Sequence, residues 1–210
     1  MIPKNIWTYW INEDPNSMPE LTKECIETQK KMCNDFAYEH RLLTIDDCHV
    51  GSKYVDECLS RHDVVGYVKA SDYLRVWYVW KYGGFALDGD MEIIKGKNFD
   101  DLLDCEMFTS RECAGLLANA AFGAVAGHPF LKDYLDILDT NFNGSGNMVF
   151  EPGIRAFDDL LWYYKKDNKD PKMVILPTDY FFPYSHISGQ TNITPNTRVI
   201  HKYAKSWLSH

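Results

Sequence analysis

Two aspartates directly after a short apolar segment are the residues of this chain best suited to binding a cation. Phe85-Ala86-Leu87 is followed by Asp88, Gly89 and Asp90. In an extended segment residues i and i+2 point the same way, so both carboxylates can reach one ion, and Gly89 lets the backbone approach closely. Many Asp-x-Asp triplets are solvated turns, but the preceding residues are too apolar for one. Ligand sites of α/β folds lie where strands end, and carboxylates suit Mn²⁺ or Mg²⁺.

A polar strip on the preceding helix is the second candidate feature. Residues 67–82 are apolar nearly all round, which predicts a helix buried on several sides. Lys69, Asp72 and Arg75 form a narrow polar strip on it. The simplest interpretation is a surface ion pair, because Asp72 and Arg75 are three residues apart. Since buried charge is costly without partners, we favour a strip that faces a ligand.

The order of these residues resembles the signature of DXD-containing glycosyltransferases with a GT-A fold. Their pattern is Ser-Asp, two residues, Arg, and then Gly-Gly-x-Tyr-x-Asp-x-Asp. This chain matches it from Ser71 to Asp90, except that Ala86 replaces the tyrosine. The family includes yeast-type mannosyltransferases and capsule-polysaccharide transferases of the sugar-binding-region type. The glucosyltransferase domains of clostridial toxins are related, and this chain resembles a small viral or bacterial member, such as a chlorella-virus enzyme.

The resemblance implies a metal-dependent donor site. It implies that Asp90 is the principal metal ligand and that Asp88 binds the metal or the ribose and sugar hydroxyls. It also implies that Asp72, Arg75 and Asp88 are the catalytic residues near the transferred sugar and the phosphate. The residues that it assigns to donor binding are Thr8, Tyr9, Trp10, Asp72, Arg75, Asp88, Gly89, Asn119, Ser206 and Trp207. Among them, Trp10 would stack on uracil, as aromatic rings stack on bases. Trp7 is the alternative for that role, and a core position is the simpler interpretation for either ring.

His201 and Glu151 complete the candidate site. Two aspartates and two phosphate oxygens leave a six-coordinate ion short of ligands, and relatives bring a C-terminal residue to the metal or diphosphate. We therefore expect His201 to be the third protein ligand, although an ordinary strand histidine is the simpler interpretation. Glu151 lies where relatives carry a Thr-Gly-Pro turn. Both a catalytic or acceptor-binding carboxylate and a solvated turn residue remain open for it.

The composition favours one globular domain that covers residues 1–210. The chain has 210 residues, of which 45% are hydrophobic and 14% aromatic, which suits a folded core. The net charge of −8 argues against nucleic acid as a partner, because its phosphates require a basic surface. No run is long enough to span a bilayer. The six cysteines form no Cys-x-x-Cys pair and no export signal is evident, so we expect a cytoplasmic protein, in the host cytoplasm if viral.

Alternating strand and helix patterns predict a three-layer α/β/α domain with a mainly parallel, Rossmann-like sheet. The expected strands cover residues 4–10, 36–43, 85–87, 91–94, 106–111, 122–126, 173–176 and 198–201. The main expected helices cover residues 19–32, 67–82, 129–140 and 154–164. This arrangement agrees with the GT-A fold that the resemblance implies.

The expected function is transfer of a hexose or deoxyhexose from a nucleoside-diphosphate sugar, a UDP-sugar, to a glycan acceptor with retention of configuration. A sugar-nucleotide pyrophosphorylase would carry a basic glycine-rich loop after its first strand, and we find none. A phosphohydrolase would place its nucleophilic carboxylate early, whereas these aspartates follow a long helix. A non-catalytic sugar-binding module would not need a buried pair of Asp72 and Arg75.

Overall fold

The computed structural model describes residues 1–112, 115–141, 155–185 and 187–204, and these form eight strands and five α-helices. The strands are β1 (Asn5–Tyr9), β2 (Glu39–Leu43), β3 (Gly84–Leu87), β4 (Met91–Ile93), β5 (Met107–Arg111), β6 (Leu117–Ala124), β7 (Met173–Leu176) and β8 (Val199–His201). The helices are α1 (Glu20–Phe36), α2 (Lys53–Ser60), α3 (Val64–Tyr82), α4 (Pro129–Asn141) and α5 (Ala156–Lys166).

A six-stranded sheet in the order β2-β1-β3-β6-β5-β7 lies at the centre. Strand β1 pairs in parallel with β2 and β3, and β5 pairs in parallel with β7. Only β6 runs against its neighbours β3 and β5 among these strands. The predicted mainly parallel sheet is therefore confirmed. The carboxyl ends of five strands and the start of β6 share one edge, which we call the carboxyl edge.

Each face of the sheet is covered by its own hydrophobic layer. Trp7, Ala86 and Phe122 point towards the helices α2 to α5. Their strand neighbours Ile6 and Phe85 point towards α1 and the small sheet formed by β4 and β8. Successive residues of a strand face opposite ways, so this alternation builds the three predicted layers from strands that are buried on both sides.

Several elements differ from the prediction. Helix α1 continues to Phe36 rather than ending at residue 32, so β2 begins at Glu39 rather than at residue 36. Strand β6 begins at Leu117 rather than at residue 122. Its first half is Leu-Ala-Asn-Ala-Ala, which has low β-propensity, but burial between β3 and β5 outweighs that local preference. Strand β8 pairs antiparallel with β4, placing His201 opposite Met91, outside the central sheet. Neither pairing can be deduced from a local pattern.

Helix α3 leads directly into the strand that carries the aspartates. The Asp63 side chain caps its start by accepting a hydrogen bond from the Gly66 amide. Gly83 and Gly84 then turn the chain with φ angles of 70° and 110°, a region that favours glycine. A Cβ on Gly84 would lie 2.5 Å from the carbonyl oxygen of Asn5, so the close approach of β3 to β1 requires glycine there. No helix in the described ranges is long and apolar enough to cross a membrane.

Candidate functional site

Asp88, Asp90 and His201 meet at the carboxyl edge. One ligand atom of each residue lies within 4.8 Å of the other two, and Nε2 of His201 is 3.2 Å from Oδ1 of Asp90. Nδ1 of His201 is buried and has no hydrogen-bond partner among the described residues. Two carboxylate oxygens and one imidazole nitrogen at this spacing fit a divalent cation.

A turn brings the two aspartates together. The amide of Met91 donates to the carbonyl of Asp88 at 3.1 Å, so Asp88-Gly89-Asp90 links β3 to β4 as a turn and is not extended as the sequence argument assumed. A Cβ on Gly89 would lie 3.0 Å from Cγ2 of Thr22, so this turn packs tightly against α1. The close approach expected at Gly89 is to the protein's own helix.

Gln29 of α1 holds that turn through hydrogen bonds, a role that the sequence pattern did not predict. Its amide nitrogen donates to the carbonyls of Asp88 at 3.0 Å and Met91 at 2.9 Å. The Thr8 hydroxyl donates to the Gln29 side-chain oxygen and also contacts His40. Thr8 is fully buried, so its side chain supports the turn. The available signal was a polar residue at helical spacing on the apolar stripe of α1.

Arg75 links the predicted polar strip to the metal cluster. Its guanidinium lies 2.6 Å from Asp88 and 3.2 Å from Asp72, and it donates to the carbonyl of Asn119 at 3.3 Å. The Asn119 amide donates to Asp72 at 3.1 Å. The Tyr9 ring lies 5.7 Å from the guanidinium carbon. The Asp72 and Arg75 side chains are only 14% and 9% exposed, so the surface ion-pair interpretation is wrong.

The pKa values at this cluster reflect burial opposed by specific partners. Burial, aided by Asp90 and opposed by Arg75, raises the pKa of Asp88 to about 6. For Asp90, hydrogen bonds from His201 and the Ala204 amide outweigh burial and lower the pKa. The same pair with Asp90 outweighs burial of His201 and raises the pKa of that imidazole. A cation that binds here must compete with protons on Asp88 and His201.

Glu112 is a second residue that sequence reasoning missed. It follows β5 at the carboxyl edge and is only 6% exposed. Its Oε1 is buried without a hydrogen-bond partner among the described residues. Burial raises the pKa of this carboxyl group, and the charges of His201 and Asp88 also act on it, which places Glu112 at the same site. A charged residue at the end of a buried strand was the available signal.

The two candidate tryptophans have different environments. Trp7 is a core residue that donates from Nε1 to the carbonyl of Gly83 at 2.9 Å and packs 5.4 Å from the ring of Tyr78. Trp10 directly follows β1 at the carboxyl edge and is half-buried, with Nε1 donating to the Ser17 hydroxyl at 3.3 Å. Trp7 is therefore unavailable to a ligand, and Trp10 is the one that a base could reach.

Three predicted site residues lie outside the described residues. These are Glu151, Ser206 and Trp207. Their roles in acceptor binding and in covering the diphosphate therefore stay predictions.

Comparison with known protein families identifies the group to which the chain belongs. The profile described as "Capsular polysaccharide synthesis protein" matches residues 1–186. The chain belongs to this family. One relative is the uncharacterized glycosyltransferase L373 of Acanthamoeba polyphaga mimivirus, which is 22% identical over all of this chain and 85% of its own length. Another is inositol phosphoceramide mannosyltransferase 3 of Schizosaccharomyces pombe, which is 29% identical over 62% of this chain and 35% of its own length.

A fungal relative is longer than this member of the capsular polysaccharide synthesis family. O-glycosyltransferase braB of Annulohypoxylon truncatum is 24% identical over 69% of this chain, which spans 39% of the relative's length. Two solved structures share the fold. They are the PaToxG glycosyltransferase, with a TM-score of 0.58, 20% identity and coverage of 79% of this chain and 69% of that one, and a glycosyltransferase involved in the glycosylation of the major capsid of PBCV-1, with a TM-score of 0.56, 9% identity and coverage of 97% and 94%. The fold is of the GT-A type.

Proposed function

We propose that this protein is a metal-dependent glycosyltransferase that moves a hexose or deoxyhexose from a UDP-sugar to a glycan acceptor. The observation that carries the proposal is the cluster of Asp88, Asp90 and His201 at the carboxyl edge, joined to the buried guanidinium of Arg75. Ligands of α/β folds bind at this edge. The names of the relatives, all glycosyltransferases, support the same reaction class.

The charge of the site supports the need for a cation. Asp72, Asp88, Asp90 and Glu112 supply four carboxyl groups, and among the described residues that contact them at the site Arg75 is the one guanidinium. A diphosphate would be repelled by such a surface. Mn²⁺ suits the set better than Mg²⁺, because the set includes an imidazole nitrogen. When bound, the ion supplies positive charge to the leaving diphosphate.

Different residues of the site would contact the three parts of the donor. Trp10 would stack on the base, the cluster would face the diphosphate, and Asp72, Arg75 and Asn119 would contact the transferred sugar. Arg75 is already fixed by three partners. A guanidinium held in this way need not reorganise when negative charge develops beside it, which is the condition for electrostatic stabilisation of a transition state.

Retention of configuration is part of the proposal. The resemblance implies a front-face route in which the acceptor hydroxyl attacks C1 on the side of the departing diphosphate. The new C–O bond forms as the C1–phosphate oxygen bond breaks, and the hydroxyl proton passes to a phosphate oxygen. NMR of the product linkage tests this step, and an inverted anomeric centre would contradict it.

Release of UDP from a panel of UDP-sugars and GDP-mannose, with and without Mn²⁺ and an oligosaccharide acceptor, tests the proposal. We expect release from one UDP-sugar that requires Mn²⁺ and is accelerated by acceptor. Release that ignores every acceptor would indicate a hydrolase. Formation of nucleoside triphosphate from pyrophosphate would indicate a pyrophosphorylase, and sugar binding without turnover would indicate a binding module. Asp90→Asn is the matched inactive variant.

A further inference from the structure

Glu112 carries a buried carboxyl oxygen that has no hydrogen-bond partner among the described residues. The residue is 6% exposed, and its Oε1 makes no hydrogen bond to any described residue. A buried charged group in this state is costly. Its backbone is fixed, because its amide donates to Leu116 at 3.0 Å and its carbonyl accepts from Gly115 at 2.8 Å. The backbone at Glu112 is therefore held in place, and Oε1 of its side chain is available to a ligand.

Glu112 does not belong to the metal cluster. The three ligand atoms that lie within 4.8 Å of one another come from Asp88, Asp90 and His201. Arg75 is bonded to Asp72 and Asp88, so it does not neutralise Glu112 either. Glu112 is nevertheless near enough for the charges of Asp88 and His201 to act on it.

The order of strands shows which part of a donor would reach it. Along the carboxyl edge, Trp10 follows β1, Asp88 follows β3, Asn119 lies near the start of β6, and Glu112 follows β5. A base on Trp10 and a diphosphate at Asp88 would direct the sugar towards β6 and β5. Strands β3 and β5 are about 10 Å apart, two strand spacings, so the sugar ring would lie between Asp88 and Glu112.

We propose that Glu112 accepts hydrogen bonds from hydroxyl groups of the transferred hexose and so determines which sugar is bound. The inference rests on the proposed function and extends it by a residue. A carboxylate is an acceptor with about four lone-pair sites, and neutral sugar hydroxyls donate to it in charge-assisted hydrogen bonds. Such bonds would satisfy the oxygen that is otherwise buried without a partner.

Calorimetry with the Mn²⁺-loaded protein tests this inference through binding. For Glu112→Gln, we expect the Kd of UDP to stay within about twofold of wild type, and the Kd of the preferred UDP-hexose to rise at least about tenfold, because a charge-assisted bond is lost. Glu106→Gln is the matched control, because Glu106 precedes the same strand at the opposite edge and is 57% exposed. It should bind both ligands as wild type does.

Deoxy analogues of the donor sharpen the test. Wild type should bind the analogue that lacks the contacted hydroxyl about tenfold more weakly than the parent donor. Glu112→Gln should bind that analogue no more weakly than it binds the parent donor. Glu112→Ala should repeat the pattern if the Gln variant is poorly folded. If Glu112→Gln weakened binding of UDP and UDP-hexose equally, or changed neither, this inference would be overturned and the proposed function would not be affected. Failure of wild type to bind any UDP-sugar would overturn the proposed function together with it.

Discussion

Substitution of Asp88 by Asn should stabilise the metal-free protein and abolish cation-dependent donor binding. The pKa of Asp88 rises from its usual 3.8 to about 6, so at pH 7 the ionised form costs stability. Two pKa units correspond to about 3 kcal/mol. Asn also gives up the 2.6 Å ion pair with Arg75, but Asp72 and the Asn119 carbonyl still hold that guanidinium. We therefore expect a gain of about 1 to 3 kcal/mol.

The pH dependence separates this effect from a general improvement in packing. A carboxyl group with a raised pKa binds its proton in the folded state where the unfolded chain has already lost it, so stability falls as pH rises from about 4 to 6. The advantage of Asp88→Asn should therefore be complete above pH 6 and absent near pH 4. Urea denaturation at both pH values gives the free energies of unfolding.

Added ligand should make wild type more stable than Asp88→Asn, which reverses the order expected for the metal-free proteins. With Mn²⁺ and UDP at about 100 times the Kd, wild type should gain about 2.7 kcal/mol, and Asp88→Asn should gain almost nothing. Asp136→Asn is the control, because its exposed pair with Lys132 should be worth less than about 1 kcal/mol at any pH. A loss of more than about 1 kcal/mol in the metal-free Asp88 variant would refute the reasoning, since Asp88 would then be a structural partner of Arg75.

Two further predictions concern protons and base stacking. The affinity of wild type for Mn²⁺ should rise between pH 5.5 and 7.5, by up to about tenfold per pH unit for each proton displaced. The reason is that Asp88, with a pKa of about 6, and His201, with a raised pKa, must both lose a proton. Calorimetry in buffers of different ionisation enthalpy counts those protons, and an affinity that does not change with pH would count against the cluster of Asp88, Asp90 and His201. Trp10→Ala should weaken UDP binding about tenfold with little change in Tm, whereas Trp7→Ala should cost about 3 kcal/mol or more in stability. Binding and melting measurements on both variants test this. If Trp7→Ala weakens UDP binding and Trp10→Ala lowers Tm, the two roles are exchanged.

Local patterns were sufficient for the elements that are buried on both faces. The apolar runs of β1 and β3, the all-round apolar helix α3 and the glycine break before β3 each have a direct physical signature. The position of Asp88 and Asp90 followed from that signature, since a strand must end where its apolar run ends. His201 was reached through the resemblance, because nothing local to β8 predicts that it pairs with β4.

The other parts of the site depend on contacts between distant segments. Gln29 acquires its role only because α1 packs beneath the turn at Asp88, and Glu112 only because β5 lies two strands from β3. Asp88 and Asp90 were expected to be extended, whereas Gln29 and the Met91 amide hold them in a turn. Side-chain periodicity predicts which face a residue occupies, but it does not predict the partner on that face.

The antiparallel pairing of β4 with β8 would give a cation at this site a second role. Asp88 and Asp90 come from the middle of the chain and His201 from its last described strand, so an ion between them would close a ring of about 110 residues. Because the ion would bind only the folded chain, it would stabilise this closed ring by mass action. The ion would act as a removable cross-link, and chelation would loosen the end of the chain while the Gln29 contacts still held the turn at Asp88. The site would then be complete only in a chain that had folded through to β8.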